Sequence, residues 1–389
     1  MTQNPIYIRR YSSVTPSQSG PLSGLRFVVK DNIGIKDQPL SLGIQPPLFE
    51  RVEKSAWIVE VLEQAGATCI ASTNLDELCA NYRGQNRYFG SMFHPFDTEL
   101  SPLGSSTGSA IAVALDEAEF GLGTDFGGSI RGPAATLGIF GFKLSAEWAP
   151  CRGAFTYGKL DSLGVFAKSF DILSRVVLQL GKSRIKTAES AQIKLWVPHS
   201  SELGKMPEKA RVHFESLCTK LQKKFELKEL EPIFGRALEL RKPLAVTAMA
   251  EALAPFLNRA ADFPAAAKAV LVRAEKMSAE KNREAEQEVT DLKNKLCSTL
   301  SGSDFFITPT LPGGVPTQKS LDERELVPSN IFLALANILE LPALAFPTQA
   351  CAPTAENCFS AQLLGSPGQE SQMLVVADNC SKLLNCFAL

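Results

Sequence analysis

Gly104-Ser105-Ser106-Thr107-Gly108-Ser109-Ala110 and, a little further on, Gly123-Thr124-Asp125-Phe126-Gly127-Gly128-Ser129-Ile130-Arg131 are the most telling stretches of this chain. The first is a paired-serine turn leading into an alanine-rich run. The second places a serine directly after two glycines. Between them, residues 110–118 read as a compact helix and 119–122 as a short strand. Upstream, Leu25-Arg26-Phe27-Val28-Val29-Lys30-Asp31-Asn32 is an apolar strand that closes on a lysine. Strand, turn, helix, strand and turn in that order argue for an α/β fold.

The same alternation continues outward. Residues 55–64 have helical spacing through Ile58, Val61 and Leu62, with Gly66 where a C-terminal cap belongs. Residues 68–71 read as a strand, Pro133 opens a helix at its first turn, and 137–142 read as a buried strand. Strands return at 305–309, 343–346 and 358–364, and a helix over 369–384 closes the pattern. Residues 1–22, polar and rich in Ser, Pro and Gln, are expected to form a flexible N-terminal arm. Residues 23–389 are expected to form a single domain with a helical insertion over about 205–300. Within that insertion the charged run 276–295 reads as a solvated helix face.

Composition narrows the function. A chain of 389 residues with 45% apolar and 21% charged residues can bury a large core. A net charge of −1 gives no electrostatic footprint for nucleic acid or an anionic membrane. No apolar run reaches the roughly 20 residues of a membrane helix, and the first residues lack the basic and apolar regions of a signal peptide. Nine scattered cysteines, with no CxxC pair, fit reduced thiols and a cytoplasmic setting. No His/Cys/Asp cluster stands at ligand spacing, so neither a metal nor a cofactor is implied.

Ser129 is the candidate nucleophile. Two preceding glycines let the backbone turn sharply and bring amide N–H groups close to a ligand. A serine there faces a carbonyl whose developing oxyanion those N–H groups would hold. The plainer reading is a glycine-rich turn between strand and helix. A serine nucleophile needs a base. The three histidines, His94, His199 and His213, share no motif with Ser129, and the flanks are not the G-x-S-x-G elbow. A lysine can serve where burial disfavours its charged form, and Lys30 closes an apolar strand. It reads equally as a strand-end lysine paired with Asp31 or exposed to water. Ser105 and Ser106 also fit a helix N-cap.

These segments together resemble the amidase signature family. Ser105 and Ser129 are 24 residues apart and Lys30 and Ser105 are 75 apart, the separations expected for that family's triad. Further segments agree: Thr73-Asn74-Leu75-Asp76-Glu77-Leu78, Asn86-Arg87-Tyr88-Phe89-Gly90, Gly164-Val165-Phe166-Ala167-Lys168-Ser169, Thr308-Pro309-Thr310-Leu311-Pro312 and Gln362-Leu363-Leu364-Gly365. The resemblance runs from about residue 22 to residue 385, apart from the helical middle. It implies an α/β/α sandwich, a large central mixed β-sheet covered by helices on both faces. It also implies an amidohydrolase that cleaves a carboxamide C–N bond to acid plus ammonia or amine. Ser129 would form an acyl-enzyme. Ser105, on a cis peptide bond, would relay its proton to Lys30. The N–H groups of Phe126, Gly127, Gly128 and Ser129 would form the oxyanion hole, with Ser106, Asp125 and Arg131 in supporting roles.

The chain departs from the family pattern in places. Leu103 and Thr107 bring side chains where glycine is usual. Leu40-Ser41-Leu42-Gly43, Asn81 and Lys143-Leu144-Ser145 also differ. The segment after residue 170 is compact and divergent. The resemblance implies a small-molecule amide substrate, no nucleic acid and no membrane, and leaves a protein partner or homodimer open. Two alternatives stand beside a free-standing amidase: a glutaminase-type subunit of an amidotransferase complex, and a catalytically silent scaffold relative.

Overall fold

Alternation along the strands builds the molecule. In β2 (Arg26–Lys30), Phe27 and Val29 face one apolar layer and Val28 the other, so the strand is buried on both sides. β4 (Phe120–Thr124) points Phe120 and Leu122 to the first layer and Gly121 and Gly123 to the second. β6 (Leu163–Ala167) divides Leu163, Val165 and Ala167 from Phe166 in the same way. The computed structural model describes residues 4–11, 19–181, 193–299, 304–322, 330–349 and 358–384.

The remaining strands are β1 (Tyr7–Arg10), β3 (Thr68–Thr73), β5 (Phe140–Lys143), β7 (Lys194–Val197), β8 (Glu226–Glu229), β9 (Phe305–Pro309), β10 (Ala343–Pro347) and β11 (Ser360–Leu364). Together they form one sheet of 11 strands in the order β1-β3-β2-β4-β6-β5-β10-β11-β9-β7-β8. The sheet is mixed: β3, β2 and β4 run parallel, as do β9, β7 and β8, and the other pairs are antiparallel.

Helices cover both faces. α1 (Trp57–Gln64), α4 (Phe170–Leu180), α6 (Glu208–Leu221) and α12 (Glu370–Leu384) pack on the layer containing Phe27. α2 (Thr107–Ala114) and α3 (Arg131–Leu137) pack on the layer containing Val28. α7 (Phe234–Leu253), α8 (Ala265–Glu275), α9 (Ala279–Thr299) and α11 (Ala334–Ile338) share a further apolar cluster with the sheet. The short α5 (Ser200–Leu203) and α10 (Gln318–Asp322) complete the set. The sandwich implied by the family resemblance is therefore the observed architecture.

Two expectations need correction. The arm over 1–22 contains β1, paired antiparallel with β3 through Tyr7 and Thr73, and Ile6 beside it is buried. Leu22 is also buried, and its N–H donates to the Ala65 carbonyl at the end of α1. Residues 12–18 of the arm lie outside the described residues. The second concerns the insertion, which holds α6–α9 but also the strand β8. Its sequence, Glu-Leu-Lys-Glu, has no strand propensity to betray it. The open side of β7 recruits it in parallel register, and its charges blunt the resulting sheet edge. The run 276–295 does lie mainly on the solvated face of α9, where Ala285 and Leu296 are the buried contacts.

Candidate active site

Three chain segments meet where β2 ends. Lys30 shares the face of β2 that carries Val28, and so projects toward the turn before α2. It is fully buried, which removes both the exposed and the Asp31-paired reading. Its Nζ donates to Ser105 Oγ at 2.8 Å and to Thr124 Oγ1, at the end of β4, at 2.9 Å. Ser105 Oγ lies 3.2 Å from Ser129 Oγ. The Gly104–Ser105 peptide bond is cis. Neither serine caps α2 through its side chain; Ser106 Oγ donates instead to the Thr124 carbonyl at 3.1 Å. Lysine and both serines thus form a continuous chain of polar atoms.

The loop bearing Ser129 is held from beneath. Asp125 and Arg131 are both fully buried and pair at 3.0 Å, through Nε and Nη2. The Asp125 carboxylate also accepts the N–H groups of Gly128 at 2.8 Å and Ile130 at 3.2 Å. Burial alone would raise its pKa. The Arg131 charge and its hydrogen bonds outweigh that and hold the carboxyl well below the usual range. Asn337 on α11 bonds Asp125 and Arg131 Nη2, while Gln362 on β11 receives Arg131 Nη1 at 3.0 Å. The supporting roles of Asp125 and Arg131 therefore extend into a four-residue buried network.

That network removes one donor from the oxyanion hole expected from the sequence. The Gly128 N–H is already engaged by Asp125 and is not available to a ligand. The N–H groups of Phe126, Gly127 and Ser129 have no protein acceptor among the described residues. Gly128 keeps a different role. Its φ of 111° is a conformation side chains rarely adopt, and a Cβ there would meet Leu333 Cδ1 at 2.3 Å.

Other acids surround the relay. Burial pushes Asp161 up to about 6 and Asp76 up to about 6, against the backbone hydrogen bonds that each accepts. Asp76 accepts the N–H groups of Arg83, Gly84 and Gln85, and so fixes the loop behind Gly104. The histidines are engaged elsewhere: His94 with the Thr136 carbonyl, His199 at the start of α5, and His213 with Thr348. No cluster of three His, Cys, Asp or Glu suited to a metal occurs among the described residues. Two cavities of about 570 and 620 Å³ open between α7 and α9, lined by Leu160, Leu244 and Glu286; Ser129 lines neither.

A family model described as Amidase matches residues 8–212, more than half of the chain. The chain belongs to the amidase family. A mitochondrial glutamyl-tRNA(Gln) amidotransferase subunit from Candida albicans is 30% identical over 262 residues, which cover 63% of this chain and 58% of that protein. The match thus spans little more than half of the curated relative. A crystal structure of an amidase superposes with a TM-score of 0.83 at 26% identity, covering 94% of this chain and 86% of the other. Kluyveromyces lactis allophanate hydrolase superposes with a TM-score of 0.85 at 22% identity, covering 98% and 67%, and so shares the fold.

Within the amidase family pattern, the departures have local causes. Leu103 adopts a left-handed φ of 52°, and Thr107 Oγ1 donates to its carbonyl at 2.7 Å, closing the turn that glycines usually make. Ser41 donates its N–H and hydroxyl to the Asp31 carboxylate. Ser145 likewise binds Glu370 on α12. Asn81 accepts the Tyr82 N–H on its own side chain. Sequence reasoning did not assign Thr124, Asn32, Asn337, Gln362 or Asp76 to the site. Asn32 Nδ2 bonds Thr124 Oγ1 at 3.0 Å, so it anchors the residue that holds Lys30. Gln362 opens the Gln362-Leu363-Leu364-Gly365 segment, and that position was its only signal.

Proposed function

We propose that this protein hydrolyses the C–N bond of a carboxamide through an acyl-enzyme on Ser129. The observation that carries the reading is the buried relay from Lys30 Nζ to Ser105 Oγ at 2.8 Å and on to Ser129 Oγ at 3.2 Å. Each hydroxyl both donates and accepts, so the relay runs in either direction. As Ser129 Oγ attacks the carbonyl carbon, its proton passes to Ser105, and the Ser105 proton passes to Lys30. The carbonyl oxygen gains charge facing the N–H groups of Phe126, Gly127 and Ser129. The C–N bond then breaks while the relay returns the proton to the departing nitrogen. Water repeats the sequence on the ester and frees the acid.

Thr124 and Asn32 hold the Lys30 end of the relay, and the Asp125–Arg131 pair holds the Ser129 end. Residues 23–389 are proposed to act as one catalytic domain, supported by the single sheet that runs through them. The test is ammonia release from acetamide, benzamide, glutamine and biuret. Ser129→Ala and Lys30→Ala are expected to lose ~10³-fold or more in rate, as when a nucleophile or its base is removed. Full activity in either variant would exclude the mechanism.

A second reading is a glutaminase-type subunit that hands ammonia to a partner protein. It is favoured by the likeness to the Candida albicans amidotransferase protein. Glutamine turnover that appears only when a partner is added would select it. A silent scaffold would fail to react with a fluorophosphonate under any condition.

A further inference from the structure

Arg241 lies on α7, in the helical segment whose contribution the sequence leaves open. Its Nη2 and Nε donate to the Phe126 carbonyl at 2.9 and 3.3 Å, and its guanidinium sits 5.1 Å over the Phe126 ring. Nη2 comes so close to Gly127 that a Cβ there would lie 2.2 Å from it. The side chain therefore rests against the loop that presents Ser129, two residues further on.

No carboxylate pairs with Arg241 among the described residues. The nearby acids are committed: Asp125 to Arg131, and Asp161 to the N–H groups of Tyr157 and Ser162. Burial lowers the Arg241 pKa to about 10, which leaves it charged at neutral pH. A guanidinium has five N–H donors in a planar fork. Bonding one carbonyl through Nε and Nη2 leaves Nη1 and one Nη2 hydrogen without a protein acceptor among the described residues. The side chain is half-buried, so these N–H groups stay open to solvent and to an anion that reaches the Ser129 loop. The planar fork matches a carboxylate.

We propose that Arg241 selects amides that carry a carboxylate and holds that carboxylate beside the Ser129 loop. The inference rests on the amidase reading for its substrate, and it deepens that reading by naming a substrate class.

The test pairs the monoamides of malonic, succinic and glutaric acids with neutral amides of the same length. Ammonia release is measured for the wild type, Arg241→Met and Arg241→Lys. The wild type is expected to prefer the best charged amide over its neutral partner by tenfold or more in kcat/KM. Arg241→Met should collapse that ratio through KM, and Arg241→Lys should restore part of it. Binding of the same pairs to Ser129→Ala, by calorimetry, gives a readout that needs no turnover. Preferential binding of the charged amide, lost on adding Arg241→Met, supports the inference even if no ammonia is released; in that case the amidase reading fails and the anion site stands. Equal binding of charged and neutral amides overturns it. So does a kcat loss in Arg241→Met that is the same for both, because Arg241 would then only hold the Phe126 carbonyl.

Discussion

Among single residues, burial organises the site. Lys30, Asp125 and Arg131 are ionisable side chains with essentially no solvent exposure, and each is satisfied by named partners. Replacing one member of a buried pair strands the other. Arg131→Met is therefore expected to cost about 3–5 kcal/mol, because it leaves the Asp125 carboxylate without its charge partner. Urea unfolding of the variant beside the wild type measures it, and a loss under about 1 kcal/mol would contradict the assignment. Lys30, Ser105 and Ser129 were legible in the sequence because each sits inside a compact local motif. Thr124 and Asn32 lay inside the quoted stretches, but nothing there showed that Thr124 would meet Lys30 or that Asn32 would anchor Thr124. Asn337 and Gln362 reach the site from 212 and 231 residues beyond Asp125 and Arg131, a distance no local pattern spans. The Gly128 N–H was assigned to the oxyanion hole because the sequence cannot reveal that Asp125 takes it first.

Among the elements, strands and helices of the α/β core were legible to within a few residues, since both-face burial leaves long apolar runs. α2 begins at Thr107, three residues before the expected start, because the turn closes through Thr107 rather than after it. β1 and β8 escaped notice for a shared reason: each is four residues long and lies at a sheet edge, too short to show alternation. Yet β1 supports the site. Asn74 donates to the Pro5 carbonyl and its own N–H to Ile6, while the Asn74 carbonyl accepts the Gly108 N–H at the start of α2. Removing residues 1–11 should uncover the β3 edge and strand these groups, at about 1 kcal/mol for each lost hydrogen bond. Lower unfolding stability and further association seen by light scattering are expected; an unchanged oligomeric state and wild-type stability would show that β1 is dispensable.

Across the whole molecule, one sheet couples site and stability. Lys143, at the end of β5, is fully buried and donates to the Leu341 carbonyl at 2.8 Å. Burial pushes its pKa down to about 8, against the opposing pull of the Asp125 charge. The unfolded chain binds a proton at this lysine up to about pH 10.5, and the folded chain only up to about 8. The penalty is thus complete below pH 8 and relieved as pH rises toward 10.5. Relative to Lys143→Met, the wild type should gain roughly 1.4 kcal/mol of stability per pH unit across that window, on the order of 3 kcal/mol in all. Parallel stability curves for the two proteins would contradict this. No described helix is long and apolar enough to cross a membrane.

The catalytic reading stands or falls on whether Lys30, acting through Ser105, makes Ser129 a nucleophile. The deciding experiment is intact-protein and peptide mass spectrometry after treatment with a fluorophosphonate. A single adduct on Ser129 is expected, formed far more slowly in Lys30→Ala and Ser105→Ala and absent in Ser129→Ala. No adduct, an adduct on another residue, or labelling that proceeds equally well without Lys30 would contradict the reading.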